Sequence, residues 1–101
     1  MNYTDTQLKQ TLAKMLPEML IWDSISLHYL NHGAHGENIG DLVDDACLLH
    51  LCWLVEQRLQ AYEANQYGFI LDEQSTSRFV MVHATWQSKV IALCKVKGIM
   101  I

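Results

Sequence analysis

Apolar residues near the start of the chain recur at helical spacing. Leu8, Leu12 and Met15 are separated by four and then three positions, which places them on one face of an α-helix. Just before them, Thr4 and Gln7 match a capping box, in which each side chain bonds a backbone amide at the helix start. The pattern therefore predicts a first helix that begins at Thr4.

Pro17 interrupts this apolar pattern. Because proline has no amide hydrogen and its ring clashes with the preceding turn, we expect a kink or a break near Leu16. Helical spacing resumes afterwards, so residues 18–31 are predicted to continue the helical region. The glycines of residues 33–40 predict that a loop follows it.

Residues 41–65 are predicted to form one long central helix with Asp41 as its N-cap. Its middle is apolar at almost every position, which is unusual for a helix of a small domain. When successive residues are placed about 100° apart, the apolar positions separate into two stripes. The first stripe is predicted to pack on the N-terminal helical region and contains Val43, Cys47, Leu51, Leu54 and Val55.

The second stripe is apolar where a surface helix is normally polar. It contains Leu42, Ala46, Leu49 and Trp53 and is extended by Gln57. One cover for it is the β-region that follows in the chain. The other is a second copy of the protein, or the helix of a partner. The sequence leaves both alternatives open.

A change of pattern after residue 65 predicts β-structure. Residues 67–71 and 78–83 are rich in aromatic and β-branched side chains, and the polar residues 72–77 between them predict the turn of a β-hairpin. Residues 85–97 fit a helix that is capped by Thr85 and ended by Gly98, although a third strand also fits.

Together these elements predict an α+β fold. It consists of a kinked N-terminal helical region and a long central helix, followed by a β-hairpin and a C-terminal helix or third strand. A chain of 101 residues has the size of one domain, so residues 1–101 are expected to form a single domain.

The charge and the cysteines narrow the class of protein. A formal net charge of −4 disfavours nucleic-acid binding, which needs a basic face. No apolar run approaches the roughly 20 residues of a membrane span, and no secretory signal is visible at the start of the chain. Three cysteines cannot all pair within one chain, which favours reduced thiols in a cytoplasmic protein. They are Cys47, Cys52 and Cys94.

A group of three histidines forms a candidate metal site. If residues 18–31 are helical, His28 and His32 share a face, and His35 from the loop completes a ligand set for zinc or another divalent metal. The spacing is weakly specific, because zinc-protease helices carry a glutamate after the first histidine, where this chain has Tyr29. The competing interpretation is that these histidines are exposed or cap a helix end.

The sequence contains no strong catalytic motif. Cys47 and His50 are one turn apart on the predicted helix, where a nucleophile and its base would have little access to substrate. A core or interface histidine is the preferred interpretation of His50. No glycine-rich dinucleotide fingerprint, P-loop or nucleophile elbow occurs. We therefore expect that the protein is not an enzyme.

The function expected from these observations is that of a small acidic protein-binding module. It would act as a regulator, inhibitor or adaptor through a helical interface, as a homodimer or on another protein, without a cofactor, nucleic acid or membrane. Its contact residues are expected to be Leu42, Ala46, Leu49, Trp53 and Gln57. The alternative is a metal-dependent enzyme or metal sensor that uses His28, His32 and His35. A third possibility is a small-molecule module with a pocket between hairpin and helices.

Overall fold

The computed structural model describes residues 3–33, 35–73 and 85–101. These residues form an α+β fold in which one helix is followed by three strands and then by further helices. We number the elements α1 Asp5–Met15, β1 Leu20–Asp23, β2 Ser26–Gly33, β3 Gly36–Leu42, α2 Leu48–Glu56, α3 Ala61–Glu73 and α4 Trp86–Lys97. A 3-10 turn, Asp45–Cys47, leads into α2.

The predicted capping box forms the start of α1. The Thr4 hydroxyl accepts a hydrogen bond from the Gln7 amide (3.2 Å), and the Gln7 side chain accepts one from the Thr4 amide (2.9 Å). Leu16 closes the helix one residue before Pro17. The predicted break is therefore confirmed, because proline cannot donate the next helical hydrogen bond.

The helical prediction for residues 18–31 is wrong, because this segment forms β1 and β2. The two strands pair antiparallel, with Leu20 opposite Tyr29 and Trp22 opposite Leu27. Ser24 adopts a positive φ of 51° in the turn between them. Apolar residues in a short segment fit a strand as well as a helix, and here the pairing across the turn decides between the two.

The predicted loop at residues 33–40 instead contains most of β3. This strand pairs antiparallel with β2, with an irregular register between His28 and Leu30. The sheet order is β1-β2-β3, so β1 is an edge strand. Glycine and small polar residues are uncommon in strands, so the sequence of β3 carries no strand signal. Its hydrogen bonds to β2 stabilise it instead.

The prediction of a single long helix for residues 41–65 is also wrong. Leu42 belongs to β3, and Asp44 rather than Asp41 acts as the cap, accepting a hydrogen bond from the Ala46 amide. α2 ends at Glu56, and residues 57–60 separate it from α3. This break allows α2 and α3 each to contact α4. Local helical spacing carries no information on where such a break falls.

The first strand of the predicted β-hairpin, residues 67–71, lies within α3. Tyr67 and Leu71 are four positions apart and are both buried in the core of the helical structure. Burial on a helix face therefore outweighs the strand propensity of this segment. The second predicted strand, residues 78–83, lies outside the described residues.

The C-terminal helix is confirmed, and the third-strand alternative is wrong. Thr85 caps α4 by accepting a hydrogen bond from the Ser88 amide (3.2 Å), and Gly98 ends the helix with a left-handed φ of 70°. α4 contacts α1, α2 and α3, and α1 also contacts β1 and β2. The core therefore lies where α4 meets the other helices and includes Leu12, Leu51 and Leu93.

Candidate functional site

The 3-10 turn and α2 carry one buried face and one exposed apolar face. The buried face packs into the core through Leu48, Leu51, Cys52 and Val55. All the residues of the second predicted stripe are exposed: Leu42, Ala46, Leu49, Trp53 and Gln57. We call Ala46, Leu49, Trp53 and Gln57 the α2 surface, because helical spacing places these four on one side. Leu42 precedes them at the end of β3.

Two large apolar side chains dominate the α2 surface. Leu49 is 48% exposed and Trp53 is 49% exposed, and Leu42 at the end of β3 is 62% exposed. Nothing in the part of the chain that the structure describes covers the exposed portions of these side chains. The predicted β-hairpin cannot supply the expected cover through residues 67–71, because they lie in α3.

His50 stacks on Trp53 at the edge of the α2 surface. The ring centroids are 5.6 Å apart and the ring planes differ by 19°. Both side chains are exposed, so the interpretation of His50 as a core residue is wrong. The stack therefore joins two aromatic rings at the protein surface.

The charges around the α2 surface lie at its two ends. At the N-terminal end, Asp44 is exposed and Asp45 pairs with Lys9 (Nζ to Oδ1, 3.0 Å). Negative charge is favourable there, because the helix dipole is positive at its N-terminus. At the C-terminal end, Arg58 forms an ion pair with Glu18, which lowers the pKa of that carboxyl. The middle of the surface carries no formally charged acidic or basic residue.

The buried thiols are poor nucleophiles. Burial raises the pKa of Cys52 to about 12 and that of Cys94 to about 11. Thiols with such values stay protonated near neutral pH, whereas the thiolate is the reactive form. Cys47 is half-buried and lies beside Tyr29, while His50 stacks on Trp53. The two members of the candidate pair thus have different neighbours.

The three histidines of the candidate metal site do not lie on a helix. His28 and His32 are four residues apart on β2, which corresponds to about 13 Å along a strand. The His28 Nδ1 donates to the Gly40 carbonyl (3.1 Å), and the His32 Nε2 donates to the Glu18 carbonyl (2.9 Å). His35 is exposed beyond the end of β2. The helical geometry on which the metal hypothesis depends is therefore absent.

The same holds for residues 3–33, 35–73 and 85–101 as a whole. No three His, Cys, Asp or Glu side chains in these ranges are placed so that they could hold one metal ion. No helix in the same ranges is long and apolar enough to cross a bilayer.

A pocket of about 560 Å³ lies between α1 and β1. The sequence does not indicate this pocket, because its pattern predicts a helix for residues 20–22 of the wall. No local sequence signal marks it, since the pocket exists only where an edge strand lies beside a helix. Its lining residues are Gln10, Ala13, Lys14, Pro17, Leu20, Ile21 and Trp22.

No known family model, curated protein or solved structure matches this chain.

Proposed function

We propose that the protein is a non-enzymatic protein-binding module, a regulator, inhibitor or adaptor, whose contact site is the α2 surface together with Leu42. The observation that carries this proposal is the joint exposure of Leu49 and Trp53 on one side of α2. Tryptophan is among the residues that contribute most to binding energy at protein interfaces, above all where apolar neighbours exclude water around it. An exposed pair of this kind one helical turn apart supports a docking role.

The stack of His50 on Trp53 supports the same role. Association costs free energy when a side chain loses rotational freedom on binding. The two rings lie 5.6 Å apart in a near-parallel arrangement, and we expect this contact to lower that cost for Trp53. Trp53 is thus suited to be the anchor of the contact.

The partner that we propose is α2 of a second copy, packed in the antiparallel direction. In a two-fold symmetric pair, the same patch on each copy contacts the other. An antiparallel order places the acidic end of one copy, with Asp44, far from the acidic end of the other. A parallel order would bring two acidic ends together, which is electrostatically unfavourable. The uncharged middle of the α2 surface suits an apolar contact in either order.

Analytical ultracentrifugation across a range of concentrations tests this proposal. We expect a monomer–dimer equilibrium, and we expect Trp53→Ala and Leu49→Ser each to weaken it about tenfold or more, as for anchor residues of an interface. Phe69→Ser is the matched control, because Phe69 is a 72% exposed apolar residue on α3. A monomer at all concentrations, or a dimer that responds equally to all three substitutions, would contradict the proposal.

A further inference from the structure

The pocket between α1 and β1 combines apolar walls with a few polar groups. Ala13 and Pro17 form part of one wall, and the β1 residues Leu20, Ile21 and Trp22 form another. Its volume of about 560 Å³ lies within the range of small-molecule sites, about 300–1,000 Å³. Such sites are mostly apolar, with a small number of polar groups that orient the ligand. In this pocket those groups are the side chains of Gln10 and Lys14.

Lys14 is a cation without a carboxylate partner among the described residues. Three other lysines there form ion pairs with carboxylates: Lys9 with Asp45 (3.0 Å), Lys89 with Glu56 (3.3 Å) and Lys97 with Glu63 (3.6 Å). The chain is acidic overall, so carboxylates for such pairing are abundant. A lysine that lines an apolar pocket and has no carboxylate partner among the described residues is complementary to a ligand with one negative charge and an apolar body.

The strand wall of the pocket also offers a backbone donor at Trp22. The Leu30 amide donates to the Met19 carbonyl (2.8 Å), which makes this pair a hydrogen-bonded one in the antiparallel ladder. Because bonded and non-bonded pairs alternate, Trp22 and Leu27 form a non-bonded pair. The Leu27 carbonyl accepts instead from Val43 (2.9 Å). The backbone amide of Trp22 therefore points away from β2, towards the free edge of β1.

We propose that this pocket binds a small organic monocarboxylate with an apolar body. The Lys14 ammonium group attracts the carboxylate, and the apolar body packs against Ala13, Pro17 and the β1 side chains. A ligand with several negative charges is disfavoured, because one unpaired cation lines the pocket. Addition of a peptide strand to β1 is disfavoured as well. The Leu20 amide already donates to the Leu16 carbonyl (2.9 Å), so β1 has too few free donors.

Two probes that differ in charge test this proposal by NMR titration of the full chain. They are 3-phenylpropionate and its neutral amide, 3-phenylpropionamide. We expect the carboxylate to shift the amide signals of Ala13 and Ile21 and to bind about three- to fivefold more tightly than the amide, as for one exposed charge pair. In Lys14→Gln this preference should disappear. Equal binding of both probes to the unmodified protein, or signal changes located elsewhere, would overturn the proposal.

Lys95→Gln is the matched control for Lys14→Gln. Lys95 lies in the last turn of α4, as Lys14 does in α1, and it also has no carboxylate partner among the described residues. It does not line the pocket between α1 and β1. The preference for the carboxylate should therefore persist in Lys95→Gln, and a loss as large as in Lys14→Gln would count against a specific site.

Ala13→Leu tests the apolar wall separately. The larger side chain fills part of the pocket, so both probes should bind more weakly while the carboxylate keeps its advantage. Unchanged binding of both probes to a folded Ala13→Leu protein would overturn the proposed location. The Lys14→Gln comparison does not depend on this variant, because Lys14 is exposed and its replacement leaves the core untouched.

Discussion

Gly40 in β3 lies directly against Tyr29 in β2, so that a β-carbon on Gly40 would come within 2.8 Å of the Tyr29 carbonyl oxygen. The Asn31 side chain approaches the same point to 2.7 Å. Because the Tyr29 backbone cannot move aside as a side chain can, we predict that Gly40→Ala lowers the free energy of unfolding by about 1–3 kcal/mol. Chemical denaturation followed by circular dichroism measures this change.

Gly68 provides the control for that substitution. It lies within α3, and among the described residues no atom beyond its chain neighbours and its own helix backbone lies within 4 Å of the position that a β-carbon would take. Alanine is the better helix former, so Gly68→Ala should raise the free energy of unfolding by about 0.5–1 kcal/mol. Equal losses of stability at both glycines would contradict the close approach of β2 and β3 at Gly40.

The Tyr67 hydroxyl is buried without a hydrogen-bond partner among the described residues. Burial raises its pKa, and the nearby Glu56 carboxylate raises it further. Tyr67→Phe removes a desolvated polar atom and keeps the ring, so we predict that the free energy of unfolding stays the same or rises by up to about 1 kcal/mol. Tyr62→Phe, at an exposed position, should have no effect. A clear loss of stability in Tyr67→Phe alone would show that the hydroxyl has a partner.

The buried thiols predict that the protein loses stability at alkaline pH. Burial raises the pKa of Cys52 from 9.0 to about 12 and that of Cys94 from 9.0 to about 11. Above pH 9.0 the unfolded chain therefore releases thiol protons that the folded chain retains. The stabilisation linked to the protonated thiols is fully present below pH 9.0. It decreases as the pH rises towards the pKa values that these thiols have in the folded state. Each thiol contributes a slope of at most about 1.4 kcal/mol per pH unit.

Melting temperatures measure this effect. They are recorded between pH 8 and pH 10.5, about the range in which free thiols ionise. The loss per pH unit should be smaller in Cys52→Ala and in Cys94→Ala than in the unmodified protein. If both variants keep the full alkaline slope, the loss has another origin.

Local signals predicted both ends of α1 and of α4. The cap of α1 needs only Thr4 and Gln7, and the cap of α4 needs only Thr85 with the amide three residues later. Pro17 limits α1 because proline has no amide hydrogen to donate. Gly98 ends α4 because glycine readily adopts the left-handed conformation. Each of these effects acts over a few neighbouring residues, so sequence reasoning can find it.

The sheet could not be found in the same way. Leu20 pairs with Tyr29, and Leu30 pairs with Ile39, so each strand is stabilised by hydrogen bonds to another segment. The apolar residues of β1 also fit a helix, and β3 is polar and rich in glycine. The candidate pocket shares this limitation, because Lys14 and Trp22 line one cavity only after β1 has formed beside α1.

By itself, the sequence determined the helix caps, the break at Pro17 and the apolar character of Leu49 and Trp53. Only the tertiary structure decided that the α2 surface stands exposed and that His50 stacks on Trp53 rather than entering the core. It also decided that His28 and His32 lie on a strand. The physical reason is that capping and backbone restriction are local, whereas strand pairing and the covering of a helix face depend on contacts between distant parts of the chain.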